Sequence, residues 1–407
     1  MDGTVNEGGR GVGARLRVQP CIRPRVGFLF IGGAHQMLHI APVAAALAGQ
    51  DACAVRLYVA SRQDSLHLAR VLQTLDAQLP IDELPTPAWL RGLARVAPRL
   101  AALKGLRLLS GRQHLQDLDV LVTAERTSTI LKRLPGWKPA LVHIPHGAGD
   151  RARGFERRLR LFDHIIVAGP KDRDRMVADG LVSGERCSVS GYVKLAAVLR
   201  MRGQRPAAHL FGNDKPIVLY NPHFTPGLSS WPAFRDALSR ATREMTDHNF
   251  VIAPHVRFAE KLSPADRRRL TDLEAPGRVI VDLGSERSID MTYTMAADIY
   301  LGDVSSQVYE YLHTPKPCVF LNATGQGRSG NSNFVFWEFG EVIDDPMDVA
   351  DTIRRARARH PDFSERQIAG VKRAFGTTDG CAVARAAAIV GELASARHFE
   401  RRPPGHV

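Results

Sequence analysis

The sequence predicts an α/β protein made of two doubly wound, Rossmann-like domains that face each other across a cleft. Three observations predict it. Short apolar runs bounded by turn residues alternate with helical stretches, the pattern of strands buried on both faces of a parallel sheet. That alternation occurs twice, broken at residues 203–214 by GQRPAAHLFGND, which reads as a linker. The chain has 407 residues, 44% hydrophobic and 24% charged, too long for one typical domain and apolar enough for two cores.

In chain order, residues 1–20 are Gly- and Arg-rich without an apolar run, so a loose tail is expected there rather than a secretory signal. The N-terminal domain, 21–202, opens with a strand at Val26–Ile31 (VGFLFI), bounded by Gly32-Gly33. A helix follows through HQMLHIAPVAAALAG, and CAVRLYVA (Cys53–Ala60) returns to strand, completing a β-α-β unit. Further strands are expected at Val120–Thr123, Ala140–Ile144 and His164–Val167. The C-terminal domain, 215–378, repeats the pattern at Pro216–Tyr220, Phe250–Ala253, Val279–Val281, Ile299–Leu301 and Cys318–Leu321. Helices are expected near 232–247, 263–272, 286–297 and 306–313. Residues 379–407 make a C-terminal helix and tail.

Charge and cysteine usage narrow the classes. Lys and Arg number 55 against 42 Asp and Glu, a net +13 that suits nucleic acid, an anionic membrane or phosphorylated substrates, and equally an Arg-rich proteome. Nucleic acid is disfavoured because no recognised motif or aromatic-interleaved basic stretch is present. The five cysteines are scattered beyond metal-ligand spacing, so reduced thiols in a cytoplasm and no metal site are expected. No apolar run reaches the roughly 18 residues of a spanning helix. The segment Trp89–Gln113 interleaves arginines with Leu and Ala and has no acid. It reads either as a helix lying on an anionic membrane or as an ordinary helix packed on the sheet, with Pro98 interrupting both.

The segment richest in chemistry is YLGDVSSQVYEYLHTPKPCVFLN, Tyr300–Asn322. A strand ends at Gly302, a polar turn follows, and a helix starts near Gln307 with Ser305 or Ser306 as its N-cap. The amides at that helix start favour a phosphate. Glu310, one turn in, is placed to reach ribose hydroxyls. His146 and His255 each follow a predicted strand end, and Gly147 lets a ligand approach the backbone. Gly32-Gly33 lacks the Gly-x-Gly-x-x-Gly spacing, which rules against a dinucleotide dehydrogenase. The run RARGFERRLR, Arg151–Arg160, is either a receptor for an anionic acceptor or a solvated helix face.

The Tyr300–Asn322 stretch resembles the Asp-Tyr-Ser-Ser motif of the CDP-glycerol glycerophosphotransferase family, enzymes that prime and polymerise teichoic acids. The chain keeps Asp303, Ser305, Ser306, Tyr309, Lys316 and Pro317, with Glu310 in the acidic slot and Val304 in place of tyrosine. In the family's order, VHIPHG (Val142–Gly147) is similar to its strand and His-Gly, Gly191-Tyr192-Val193-Lys194 to its Gly-Tyr-Pro-Arg, and IVLYNPHF to its strand ending in Tyr-Ala-Pro-Thr. The resemblance spans roughly residues 135–390, with a weaker match at Asp379-Gly380. Departures lie at Ala148–Arg151, Ala253 and His223.

The resemblance implies a GT-B-like fold whose C-terminal helix crosses back to the first domain. It implies a catalytic role for His146 and a second histidine, His255, supporting the donor pyrophosphate. Asp303, Ser305, Ser306, Glu310, Gly147 and Arg257 are the expected donor contacts, and His35, Gln36 and Arg151 the expected acceptor contacts. The implied activity moves a polyol phosphate such as glycerol phosphate from a CDP-linked substrate, without a further cofactor, to a glycan or lipid-linked acceptor. It places the protein in the cytoplasm, in peripheral contact with the inner face of an anionic membrane. Two alternatives share the fold: a glycosyltransferase using a nucleotide sugar, and a non-catalytic nucleotide- or glycan-binding protein.

Overall fold

The computed structural model describes residues 23–96, 102–147, 149, 155–203, 209–254, 256–259, 261–323, 325 and 332–402. The tail 1–20 and residues 204–208 of the linker lie outside them. Two sheets form, and every strand pair in them runs parallel. The first holds β1 (Arg25–Phe30), β2 (Ala54–Val59), β3 (Ile81–Glu83), β4 (Val120–Thr123), β5 (Ala140–His143), β6 (His164–Val167) and β7 (Cys187–Val189), in the order β3-β2-β1-β4-β5-β6-β7. The second holds β8 (Ile217–Asn221), β9 (Asn249–Ile252), β10 (Val279–Val281), β11 (Ile299–Gly302), β12 (Cys318–Leu321) and β13 (Glu341–Ile343), in the order β10-β9-β8-β11-β12-β13. In each sheet the order reverses at its first strand, so a crevice opens at the carboxyl ends of β1 and β4 and of β8 and β11.

The apolar runs explain the central strands. Val26, Phe28 and Phe30 of β1 pack on one face with the helix Met37–Gly49, while Leu29 packs on the other with Leu108 and Leu115. Each large side chain so buried contributes about 1.5–3 kcal/mol. Three strands have no counterpart in the sequence reading: β3 (IDE), β7 (CSV) and β13 (EVI), all at sheet edges. An edge strand is solvated on one side and needs no continuous apolar run. The fourth edge, β10, is Val-Ile-Val and is legible for that reason.

Two expected helices are shorter or split. The stretch 286–297 breaks into a 3-10 turn, Glu286–Ser288, and a helix, Thr292–Ala296, separated by Met291 at φ +66°. The helix after Ser306 has only five residues, Gln307–Tyr311. The basic segment forms two helices, Ala88–Val96 and Ala102–Leu115, on either side of Pro98. The second buries Leu108 and Leu115 on the sheet; the first buries Leu90 and leaves Trp89 61% and Val96 86% exposed.

The C-terminal helix, Ala382–Arg401, returns to the first domain. Ala386, Ala387, Val390 and Ala394 are fully buried in the cluster that contains Val26, Phe28 and Leu47. His398 sits 3.0 Å from the buried carboxylate of Asp119, and Arg401 donates to the Leu118 carbonyl. The turn before the helix is closed by Asp379, which pairs with Arg385 and accepts from the Cys381 amide.

Candidate functional site

The two crevices face each other, and the residues that meet there come from strand ends of both sheets. A narrow gap is lined by His35, His39, His146 and Gly147 from the first domain and by Ser306, Gln307 and Glu310 from the second. Gly147 has φ +84°, a conformation that favours glycine, and a β-carbon there would lie 3.1 Å from the Ser306 hydroxyl. The His146–Gly147 loop therefore opposes Ser306 directly.

His146 follows β5, and its Nδ1 lies 3.0 Å from the carbonyl of Ala124, at the end of the adjacent β4. Nδ1–H donates to that oxygen, which leaves the Nε2 lone pair as the reactive one. Burial depresses the imidazole below the usual 6.5, against the opposing pull of the Ala124 carbonyl and the Glu125 charge; Arg126 and Arg257 depress it further. The ring is neutral near pH 7 and able to accept a proton.

Around it lies a polar shell. Burial would raise the Glu125 carboxyl, but the charge and hydrogen bond of Lys104, 2.8 Å away, outweigh it and hold the group at about 2. Gln36 Nε2 is 3.5 Å from both Glu125 Oε2 and His146 Nε2. Gln36 is 3% exposed and its side chain fills the space over Gly32, so it positions His146 instead of meeting an acceptor as expected. His35 does line the gap, its ring 5.6 Å from that of His146.

The second-domain side is arranged differently from the expectation. Asp303 is 2% exposed, and its Oδ2 accepts from the backbone amides of His223 and Ser230 at 2.6 and 2.9 Å. Through that oxygen the carboxylate holds the loop after β8. Ser305 is buried, and its Oγ accepts from the Gln307 amide at 3.3 Å. Ser306 takes the N-cap position without a capping bond and faces Gly147. Because the helix is five residues long, first-turn amides and not a macrodipole are what it offers an anion. Val304 packs in a buried apolar cluster shared by the two domains, which also holds Leu38, Leu195 and Val198 of the first.

Glu310 is 4% exposed and both of its oxygens accept from Lys194, at 2.8 and 2.9 Å, while Tyr192 Oη donates to it at 2.6 Å. This ion pair bridges the Gly191–Lys194 segment of the first domain to the helix of the second. Neither Lys194 nor His39 figures as a site residue in the sequence reading. His39 lies 6.4 Å ring to ring from His146 and 5.6 Å from Tyr192; burial, then the Lys194 charge, hold it well below the usual histidine value. Its position four residues after His35, one helical turn, was the available signal.

Arg257 lies on the short helix Val256–Ala259, its guanidinium 5.8 Å from the Phe224 ring. His255 and Arg151 lie outside the described residues. In the described part of the arginine run, Arg158 pairs with Glu156 at 2.6 Å and Arg160 donates to the Gly180 carbonyl at 3.0 Å. Those two serve the surface of the first domain. Among the described residues no group of three His, Cys, Asp or Glu is arranged to hold a metal ion. None of the described helices is long and apolar enough to cross a membrane.

Known proteins of similar shape share this two-sheet plan. The chain is similar to S. aureus MnaA in complex with UDP, with a TM-score of 0.64 at 16% identity over 94% of this chain and 100% of that one. It is similar to UDP-GlcNAc 2-epimerase from Neisseria meningitidis bound to UDP-GlcNAc, with a TM-score of 0.61 at 12% identity over 90% and 98%. It is also similar to a variant of the wall teichoic acid polymerase TagF soaked with CDPG, with a TM-score of 0.61 at 13% identity over 94% and 90%. The fold is of the GT-B type. At such identities the likeness establishes architecture alone. No protein-family model matches the chain, and no curated protein matches it by sequence.

Proposed function

We propose that the protein is a transferase that moves a polyol phosphate, glycerol phosphate or a close relative, from a CDP-linked donor to a glycan or lipid-linked acceptor. The observation that carries this reading is the neutral His146, its Nδ1 held by the Ala124 carbonyl, lining an interdomain gap together with Ser306. His146 accepts the proton of the acceptor hydroxyl, and that oxygen attacks the phosphorus bearing the polyol. The new P–O bond forms as the bond to CMP breaks, and CMP leaves with the electron pair. Ser306 and the amides of the following turn hold the donor phosphates, with Arg257 and His255 supplying positive charge. Positioning and electrostatics carry most of such a step. The resemblance in sequence motifs and the similar shape of a teichoic acid polymerase support the CDP-linked donor.

The test is a donor screen: incubation with CDP-glycerol, other CDP-polyols and UDP-sugars, with CMP or UDP release measured. Release of CMP is expected; its absence with every CDP-polyol would end this reading. A second reading, turnover of a nucleotide sugar, is favoured by the UDP and UDP-GlcNAc found in two of the similar structures, and UDP release would select it. Thermal stabilisation by nucleotides without turnover, unchanged in His146→Ala, would instead indicate a binding protein.

Peripheral contact with an anionic membrane is part of the same proposal. It is supported by the exposed Trp89, Leu93 and Val96 on a helix whose segment carries arginines and no acid. Salt-sensitive co-pelleting with phosphatidylglycerol vesicles, lost in Trp89→Ala/Val96→Ser, is the expected result.

A further inference from the structure

We propose that a second cavity between the domains, adjoining the gap at His146, holds a hydrocarbon chain, the apolar body of the acceptor. Calling the chain the acceptor's rests on the transferase reading; its place in this cavity does not. The cavity has a volume of about 360 Å³, within the range of ligand sites. Its walls come from both domains: Met37 and Leu38 of the first helix, Val71, Val198 and Met201 of flanking helices, and Ile289 of the second domain. Each methylene buried against these side chains strengthens binding by up to about fourfold, while Thr74, Asp290 and Thr292 add polar groups to the lining.

Two further observations fix the direction of the chain. Ile289 lines this cavity and the reaction gap alike, and its neighbour Ser288 lines the gap. A molecule with its hydroxyl at His146 and an apolar body therefore passes over Ile289 into the cavity. His67, Arg70 and Arg202 also line the cavity and can meet an anionic group, with Glu286 and Asp290 the acids among them. Arg70 is held by Glu286 of the second domain at 2.6 Å, and both side chains are more than half exposed. Such a surface pair is weak and opens readily to admit a chain.

The experiment is calorimetric binding of hexyl, decyl and dodecyl phosphate, each below its micelle concentration, to the full-length protein with and without CDP. Affinity is expected to rise on the order of 100-fold from hexyl to dodecyl. It should fall at least about tenfold in Val71→Trp, which fills the cavity, and in Met201→Glu, which charges it. CDP binding serves as the control for folding and should be unchanged in both variants. CDP should not displace the alkyl phosphate. Affinity independent of chain length, insensitivity to both substitutions, or displacement by CDP would each overturn the assignment. Failure of CMP release with chain-length dependence intact removes the transferase reading and leaves the cavity a hydrocarbon site. CMP release without chain-length dependence does the reverse.

Discussion

The two faces of the gap solve different problems. On the first-domain face the chemistry sits on side chains: His146 is anchored by a backbone carbonyl, depressed by burial, and flanked by a carboxylate that Lys104 keeps ionised. On the second-domain face the acids are already engaged: Asp303 accepts from two amides, and Glu310, which lines the gap, is held by Lys194 and Tyr192, beside the Ser306 hydroxyl that faces Gly147. A proton acceptor needs its basicity set by its surroundings, so its face is crowded with titratable groups. A face that receives phosphates does better with its carboxylates already tied to partners, as Glu310 is to Lys194.

The contrast breaks most directly at His146. His146→Ala should lower CMP release by about 10²–10⁴-fold with the far-ultraviolet spectrum unchanged; activity near wild type would remove the proton acceptor from that face. Next in size is the pair that ties the faces together. Lys194→Met strands the buried Glu310 carboxylate and should lower unfolding free energy by about 3–5 kcal/mol, read by urea denaturation. Asp303→Asn should cost about 1–3 kcal/mol of stability through poorer acceptance from the His223 and Ser230 amides. If it left the melting temperature alone and weakened nucleotide binding instead, Asp303 would be a donor contact and the contrast would fail.

Smallest are the effects of acidity. Transfer should be level near pH 7 and fall on the acid side as His146, depressed below 6.5, takes up its proton. Glu125 favours the imidazolium, so Glu125→Gln should move that acid limb to lower pH, by about one unit or less. The stability signs are separate. Glu125, held at about 2 against an ordinary 4.5, adds stability that is present above pH 4.5 and is lost as pH falls toward 2. His143, buried and held at about 3, costs stability as pH drops below 6.5, because only the unfolded chain then gains its proton. Melting temperatures across pH 3–8 for wild type and Glu125→Gln read both.

What was legible in the sequence follows burial. Strands covered on both faces show as apolar runs, and β4, β6, β10 and β12 fall at the residues expected. Edge strands such as β3 and β13 carry acids and leave no such trace. In the site, His146 was legible because it follows an apolar run and precedes a glycine. Its partner Gln36 was visible as a residue, but its burial was not. The Lys194–Glu310 pair joins positions 116 apart, which only the packing of one domain on the other brings together. A turn such as Asp303–Ser306 can be read from its residue types; the direction in which each side chain points cannot, because one peptide step reverses it.

The helix that returns from the far end of the chain has a consequence for biogenesis. Until Ala386, Val390 and Ala394 have left the ribosome, the part of the helix Met37–Gly49 that they cover stays exposed, although its other contacts, with β1 and the helices Arg62–Thr74 and Val193–Gly203, can already form. The core of the first domain is therefore completed only when the end of the chain docks, and until then it shows an apolar strip of the kind that favours non-native association.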